Sequence, residues 1–341
     1  MREFTGYKHG VNLGGWLSQC EHTKKHYDTF IVEDDFKKIA GWGVDHVRLP
    51  VDYNLVQNKD GSFIESGFAY IDKAIEWAKK HGLNMVLDLH KTQGFSFDDY
   101  SEHETGFWES DVLEGYFYSL WEEFARRYGN ESILAFELLN EITDKSYNEK
   151  WMKIAESAVA VIRKHAKNIR VIFGGYYNNS VVSVKDLAMP FDENIVYTFH
   201  SYEPLLFTHQ GAYWVKEMDR NFRMKYPVSK TEYKKLLTVA LSVPSRFSIS
   251  DDALSGEYFN EEYYENMFRE AMDVAEERNV PLYVGEYGVI DLADPESTRN
   301  WYKDINSVFE KYNISRCAWN YKGKDFGLDN PKYDSVRMDF I

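Results

Sequence analysis

The sequence is short of several things, and each shortage removes a class of protein. Only two cysteines occur in 341 residues, too few for a disulfide framework. No run of 18 or more apolar residues exists, so no transmembrane helix is expected. Basic residues are in deficit, with 40 Lys and Arg against 55 Asp and Glu and a net charge of −15. Phosphate backbones and anionic lipid surfaces call for the opposite balance, so neither nucleic acid nor membrane is expected as a partner. No internal repeat or low-complexity tract is present. The first nine residues lack the apolar stretch of a signal peptide. That fits a cytoplasmic chain, and equally a secreted one whose export segment has been removed. Hydrophobic residues make up 44%, which excludes intrinsic disorder. Aromatics are abundant instead, at 16%, with 25 Tyr, 22 Phe and 9 Trp. That surplus asks for a use beyond filling a core.

Short apolar runs alternate with amphipathic stretches along the whole chain. Strands are expected over 10–16, 45–51, 84–90, 133–141, 169–175, 195–202, 281–288 and 314–321. Helical spacing runs over 33–41, 68–81, 113–128, 149–165, 261–277 and 297–312. Eight strand–helix repeats imply parallel strands with right-handed crossovers, and the simplest closure is a (β/α)8 barrel. A long loop rich in Phe, Asp and Ser follows strand 3, over 91–109. The stretch from 203 to about 260 is too long for an ordinary connection and carries helical pattern over 213–224 and 230–241. It reads as a helical insertion after strand 6, over the barrel mouth. One domain, 1–341, is expected, because no Pro/Gly-rich linker divides the chain. Cys20 and Cys317 fall near strands 1 and 8, which adjoin in a closed barrel. Cys317 reads as inward core, so free thiols are expected.

Side chains alternate along a strand, so parity assigns faces. His46 and Arg48 share one face, as do Asp88 and His90, Glu137 and Glu141, and His200 and Tyr202. Glu286 continues the face of Leu282 and Val284, and Trp319 that of Cys317. If these faces point inward, six strands bring polar or aromatic groups to the C-terminal rim, where barrel enzymes carry their sites. Burying so many polar groups is unfavourable unless they pair. Glu141 ends strand 4 and Glu286 ends strand 7, on opposite sides of a barrel. A carboxylate pair across a sugar is the equipment of glycoside hydrolysis, one protonated and one ionised. Arg48 is the natural cation beside Glu286, Tyr202 a donor to it, and His200 a tuner of Glu141. A sugar site also explains the aromatics, because pyranose rings stack on indole and phenol faces. Trp16, Trp319, Tyr177, His209 and Trp214 are candidates for such contacts. Tyr176, Asn178 and Phe207 lie beside them in the sequence. No His-X-His follows strand 1 and the carboxylate pair works without metal, so neither metal nor cofactor is expected.

At these residues the chain resembles glycoside hydrolase family 5, the cellulase family. The matching motifs are Gly10-Val-Asn-Leu-Gly-Gly-Trp16, His46-Val-Arg-Leu-Pro50, Leu87-Asp-Leu-His90, Phe136-Glu-Leu-Leu-Asn-Glu141, Phe199-His-Ser-Tyr202, Val284-Gly-Glu-Tyr-Gly288 and Ala318-Trp-Asn320. They occur in order over nearly the whole chain. The resemblance implies Arg48, His90, Asn140, Glu141, His200, Tyr202, Glu286 and Trp319 as the active-site set. It makes Glu141 the acid/base and Glu286 the nucleophile of a retaining β-1,4-glucanase acting on cellulose or mixed-linkage β-glucan, as a monomer. Phe207-Thr-His-Gln210 with Trp214 resembles the helical insertion of some bacterial endoglucanases of the family. Many relatives carry a second His after His90; here Lys91 stands, an amine able to bind a sugar hydroxyl. β-Mannanase and exo-β-1,3-glucanase activities of the same family remain open, as does a catalytically silent sugar-binding barrel.

Overall fold

The computed structural model describes residues 1–98, 104–243 and 257–340. Eight strands close into one parallel barrel in sequence order: β1 (His9–Asn12), β2 (His46–Asp52), β3 (Asn84–Lys91), β4 (Leu134–Glu137), β5 (Arg170–Phe173), β6 (Ile195–Ser201), β7 (Leu282–Tyr287) and β8 (Ser315–Ala318). Several are shorter than the apolar runs that announce them. At β1, β4, β5 and β8 the last residues of the run leave the ladder and bend over the rim. Single backbone bonds still hold them, such as Leu13 N–H to Arg48 O (2.8 Å), Leu138 N–H to Ile172 O (3.0 Å) and Asn140 N–H to Leu89 O (3.2 Å). Release from the ladder frees these residues to aim side chains at the axis.

Helices Glu33–Gly41, Glu65–Lys80, Asp111–Tyr128, Asn148–Arg163, Glu261–Glu277 and Pro295–Tyr312 follow the predicted stretches. Their starts are set by local chemistry: the side chains of Ser110, Asn260 and Asp294 each accept a hydrogen bond from a backbone N–H in the first turn. The alternation breaks once. Between β5 and β6 stand only a left-handed turn, Tyr176–Asn179, and a 3-10 segment, Val181–Asp186. No long helix fits behind Gly174-Gly-Tyr-Tyr-Asn-Asn179.

The stretch after β6 holds short helix Leu205–Thr208 and helix Lys230–Ala240. The helix expected over 213–224 is absent. Val215, Met218 and Phe222 are buried at helix-like spacing, yet the segment forms turns. The side chain of Asp219 accepts from Asn221 N–H (2.9 Å), and Met218 bridges to Leu241. Local side-chain bonds of this kind compete with helix. The remainder of the expected insertion, 244–256, lies outside the described residues, as do 99–103 of the loop after β3.

Two cores result. Phe4, Tyr7, Val86, Ala135, Ile172, Val196, Tyr283 and Cys317 fill the barrel from its N-terminal end. A larger cluster lies between strands and helices. Neither Cys20 nor Cys317 forms a disulfide among the described residues. Leu282 and Val284 belong to the outer cluster and Tyr283 to the inner one. Simple alternation would therefore send Glu286 outward, opposite to the expected shared face. A bulge corrects this: Phe199 pairs with Val284, but His200 pairs with Glu286, so Gly285 is the extra residue. The bulge turns Glu286 into the mouth.

Candidate active site

Arg48 organises the mouth. Rising from β2 and fully buried, it spends its donors on five side chains. Nε and Nη2 donate to the Glu137 carboxylate (2.7 and 3.1 Å), Nη1 to Asn12 Oδ1 (3.0 Å) and Glu286 Oε1 (2.9 Å), and Nη2 to Asn140 Oδ1 (2.7 Å). Nη2 also lies 3.1 Å from Asp88 Oδ2. The planar fork of guanidinium suits such many-sided pairing, which an ammonium could not reproduce. The other oxygen of Glu286 accepts from Tyr202 OH (2.8 Å). Glu286 is thus a fixed acceptor on both oxygens.

Glu141 sits in different company. Its Oε1 lies 2.7 Å from His200 Nδ1, and its Oε2 accepts from Asn178 Nδ2 (2.8 Å). Burial pushes the Glu141 carboxyl up to about 7, against the pull of Asn178, His90 and Arg48. Burial likewise pushes His200 and His90 down to about 4, so both rings are neutral near neutrality. His90 Nδ1 lies 2.6 Å from Asp88 Oδ2, and burial lifts Asp88 to about 7. Two carboxylates in one mouth therefore have opposite preparations: Glu286 beside a guanidinium, Glu141 beside a neutral imidazole and an amide.

One oxygen of Glu141, one of Glu286 and a His200 ring nitrogen lie within 4.8 Å of one another, close enough for a metal ion to bridge among the described residues. At most 4.8 Å thus separates the nearest carboxylate oxygens of the two glutamates.

Trp319 closes the floor of the mouth, with its indole parallel to the His90 ring at 5.8 Å. Gly14 makes room for it, since a Cβ there would fall 2.4 Å from the indole. Asn320 ties the two rims together, accepting from Gly14 N–H (2.8 Å) and donating to Gly14 O (3.0 Å). Within the Asn-Leu-Gly-Gly-Trp segment Asn12 serves the site by accepting from Arg48, and Gly14 by seating Trp319.

The sequence profile of the cellulase family, glycosyl hydrolase family 5, matches residues 7–325. The chain belongs to that family. It is 44% identical over 317 residues to cellodextrinase A of Ruminococcus flavefaciens, spanning 93% of this chain and 86% of that one. It is 37% identical over 340 residues to endoglucanase C of Acetivibrio thermocellus, spanning 98% and 97%. In three dimensions it resembles the clostridial cellulose synthase subunit Z of Clostridioides difficile, with a TM-score of 0.76, 27% identity and 98% of each chain covered.

Against this glycosyl hydrolase background the outlying candidates separate. Trp16 is not in the mouth: it is fully buried, stacked on Trp77 at 6.0 Å, with Nε1 donating to Tyr27 O. The chain turns at Gly14-Gly15 before reaching it, so the indole enters the outer core. Lys91 is buried and folded back, with Nζ 3.6 Å from Asp52 Oδ2. Asp52 also accepts from Ser18 Oγ (2.7 Å) and Gln19 N–H (3.1 Å) and lies 3.2 Å from His22 Nε2. Burial would raise the Asp52 carboxyl, but His22, Lys91 and Ser18 together hold it below its ordinary range. His209 and Trp214 pack behind Tyr202, with His209 5.3 Å from the Tyr202 ring and 6.0 Å from Trp214, and Phe326 completing the group. Burial pushes His209 down to about 4. Tyr177 is 53% exposed, on the left-handed turn beside Asn178. Asn12 and Asn178 join the network without having been singled out as site residues. Asn12 could have been found from its inward parity with Gly10. Asn178 offers no such periodic signal.

Proposed function

We propose that the chain is a retaining endo-β-1,4-glucanase that works by double displacement, with Glu286 as nucleophile and Glu141 as acid/base. The observation carrying this reading is the contrast between two carboxylates within reach of each other. One is held by Arg48 and Tyr202, and the other is buried with a pKa lifted to about 7. A Glu286 oxygen bonds to the anomeric carbon as the glycosidic C–O bond breaks, and the Glu141 proton passes to the departing oxygen. Glu141, now a carboxylate, takes a proton from water. The water oxygen bonds to the anomeric carbon, and the bond to Glu286 breaks.

Asn140 Nδ2 and His90 Nε2 are buried without a partner among the described residues. Asn140 keeps a donor for the 2-hydroxyl of the sugar at the cleavage point, where such bonds strengthen in the transition state. Trp319 forms the platform beneath that sugar. Tyr177 lies on the leaving-group side, next to Glu141's partner Asn178. The similarity to a protein named cellodextrinase supports a second reading, that soluble cello-oligosaccharides are cut faster than polymer. Rates on cellotetraose, carboxymethylcellulose, lichenan, laminarin and mannan, with the anomer of the first product followed by NMR, test both readings. First-formed β-anomer from β-1,4-glucan is expected. First-formed α-anomer, or turnover of laminarin or mannan alone, would overturn the proposal.

A further inference from the structure

The turn after β5 is built on an uncommon backbone. Tyr177, Asn178 and Asn179 all have left-handed backbones, with φ of 54°, 55° and 56°. Asn tolerates this region, but a bulky Tyr seldom adopts it. The surroundings impose it. Gly174 leaves room for the Asn179 side chain, since a Cβ there would fall 1.9 Å from Asn179 Oδ1, and that oxygen accepts from Gly175 N–H (3.2 Å). Two further ties reach the site itself. Asn178 N–H donates to Ile142 O (2.9 Å), the residue next to Glu141, and Ser180 forms a parallel bridge with His200. The turn therefore grips both the Glu141 segment and the histidine beside it. Strained backbone held by its neighbours is characteristic of functional sites.

Taking Glu141 as the proton donor, we infer that Asn178 is a positioning residue that orients the Glu141 carboxyl and sets its proton affinity through the Nδ2–Oε2 hydrogen bond. An amide donor favours the ionised carboxylate, so it works against the burial that holds the proton on. Balance between them places the group where it can both give and take a proton. The other groups facing Glu141 are His200 from β6 and Tyr202 just beyond it, His90 and Asp88 from β3, Arg48 from β2, Asp98 from the loop after β3, and Glu286 from β7. Apart from the His200 ring beside Oε1, the bond from Asn178 is the direct polar contact to Glu141 among those described. Asn178 itself is exposed, so changing it spares the core.

The test uses Asn178→Gly, which keeps the left-handed backbone and removes the amide, and Asn178→Asp, which keeps the shape and replaces the donor with a carboxylate. The readouts are pH profiles of kcat/KM on cellotetraose and kcat/KM on 2,4-dinitrophenyl cellobioside, which reports the first step alone and whose leaving group needs no proton. The basic limb should move to higher pH, by about 0.5–1 unit in N178G and by about 1 unit or more in N178D. The kcat/KM for cellotetraose should fall by about tenfold, while that for the aryl cellobioside changes by less than about twofold. A basic limb that stays put or moves down, or equal losses on both substrates, would overturn the assignment. Glu141→Gln run alongside separates the two claims. If it too loses both substrates equally, the donor role of Glu141 falls; if it spares only the aryl cellobioside, a null result at Asn178 counts against Asn178 alone.

Discussion

The two ends of the barrel are built from the same strands by opposite rules. At the N-terminal end Phe4 stacks on Tyr7 at 4.2 Å, and Tyr7 OH donates to Ile133 O (2.8 Å). His46 spans Asp45 (2.7 Å) and Tyr283 OH (3.0 Å), so both of its nitrogens have partners. That floor is apolar, and its few polar atoms are matched. At the mouth, Asp88, Glu137 and Glu286 share one guanidinium, and His90 Nε2, Asn140 Nδ2 and His200 Nε2 have no partner among the described residues. Charges buried in excess of their counter-ions cost stability. The floor serves the fold, and the mouth trades stability for chemistry.

The comparison can be broken most violently at Glu286. Its replacement by Gln should cut turnover by about 10⁴-fold or more while the melting temperature holds, measured by steady-state kinetics and calorimetry. Retained activity would remove Glu286 from the reaction. Arg48→Met should instead unfold the protein more easily, by about 3–5 kcal/mol in denaturant titration, because it strands the carboxylates around it. A loss no larger than that of a surface Arg would mean the mouth is not organised by charge.

A smaller effect follows from Glu141. Its folded pKa of about 7 exceeds the ordinary carboxyl value of 4.5. Between those values the folded state binds more protons, so this group's contribution to stability declines as pH rises through the window. Glu141→Gln removes the titration. The variant should melt about 2–4 °C above the parent at pH 8 and level with it near pH 4–5. A difference independent of pH would show that the carboxyl is not held protonated. Smallest of all, Tyr283→Phe at the floor should cost about 0.5–1.5 kcal/mol and leave kcat unchanged. A marked loss of kcat would show that the two ends are not independent.

Much of this was legible in the residues. A period of two and a period of 3.6 are local properties, so strand and helix stretches could be placed from apolar spacing alone. The inward groups Arg48 of β2, Asp88 of β3 and Glu137 of β4 follow from parity because they lie in the regular part of the ladder. Parity failed at Glu286, where the right orientation depends on a bulge at Gly285 that alternation cannot reveal. It was equally mute about Trp16, whose neighbour Trp77 comes from helix Glu65–Lys80. The pattern over 213–224 misled because burial at helix spacing also arises in a chain of turns held from outside.

The sequence by itself determined the architecture and the chemical inventory, since strand period, capping residues and the identity of the groups at each strand tip are short-range facts. Only the tertiary structure decided how those groups divide their work. Whether a carboxylate becomes acid or nucleophile depends on burial and on partners brought from distant strands. Arg48 comes to Glu286 from 238 residues away, and Asn178 reaches Glu141 on a turn that no periodicity marks.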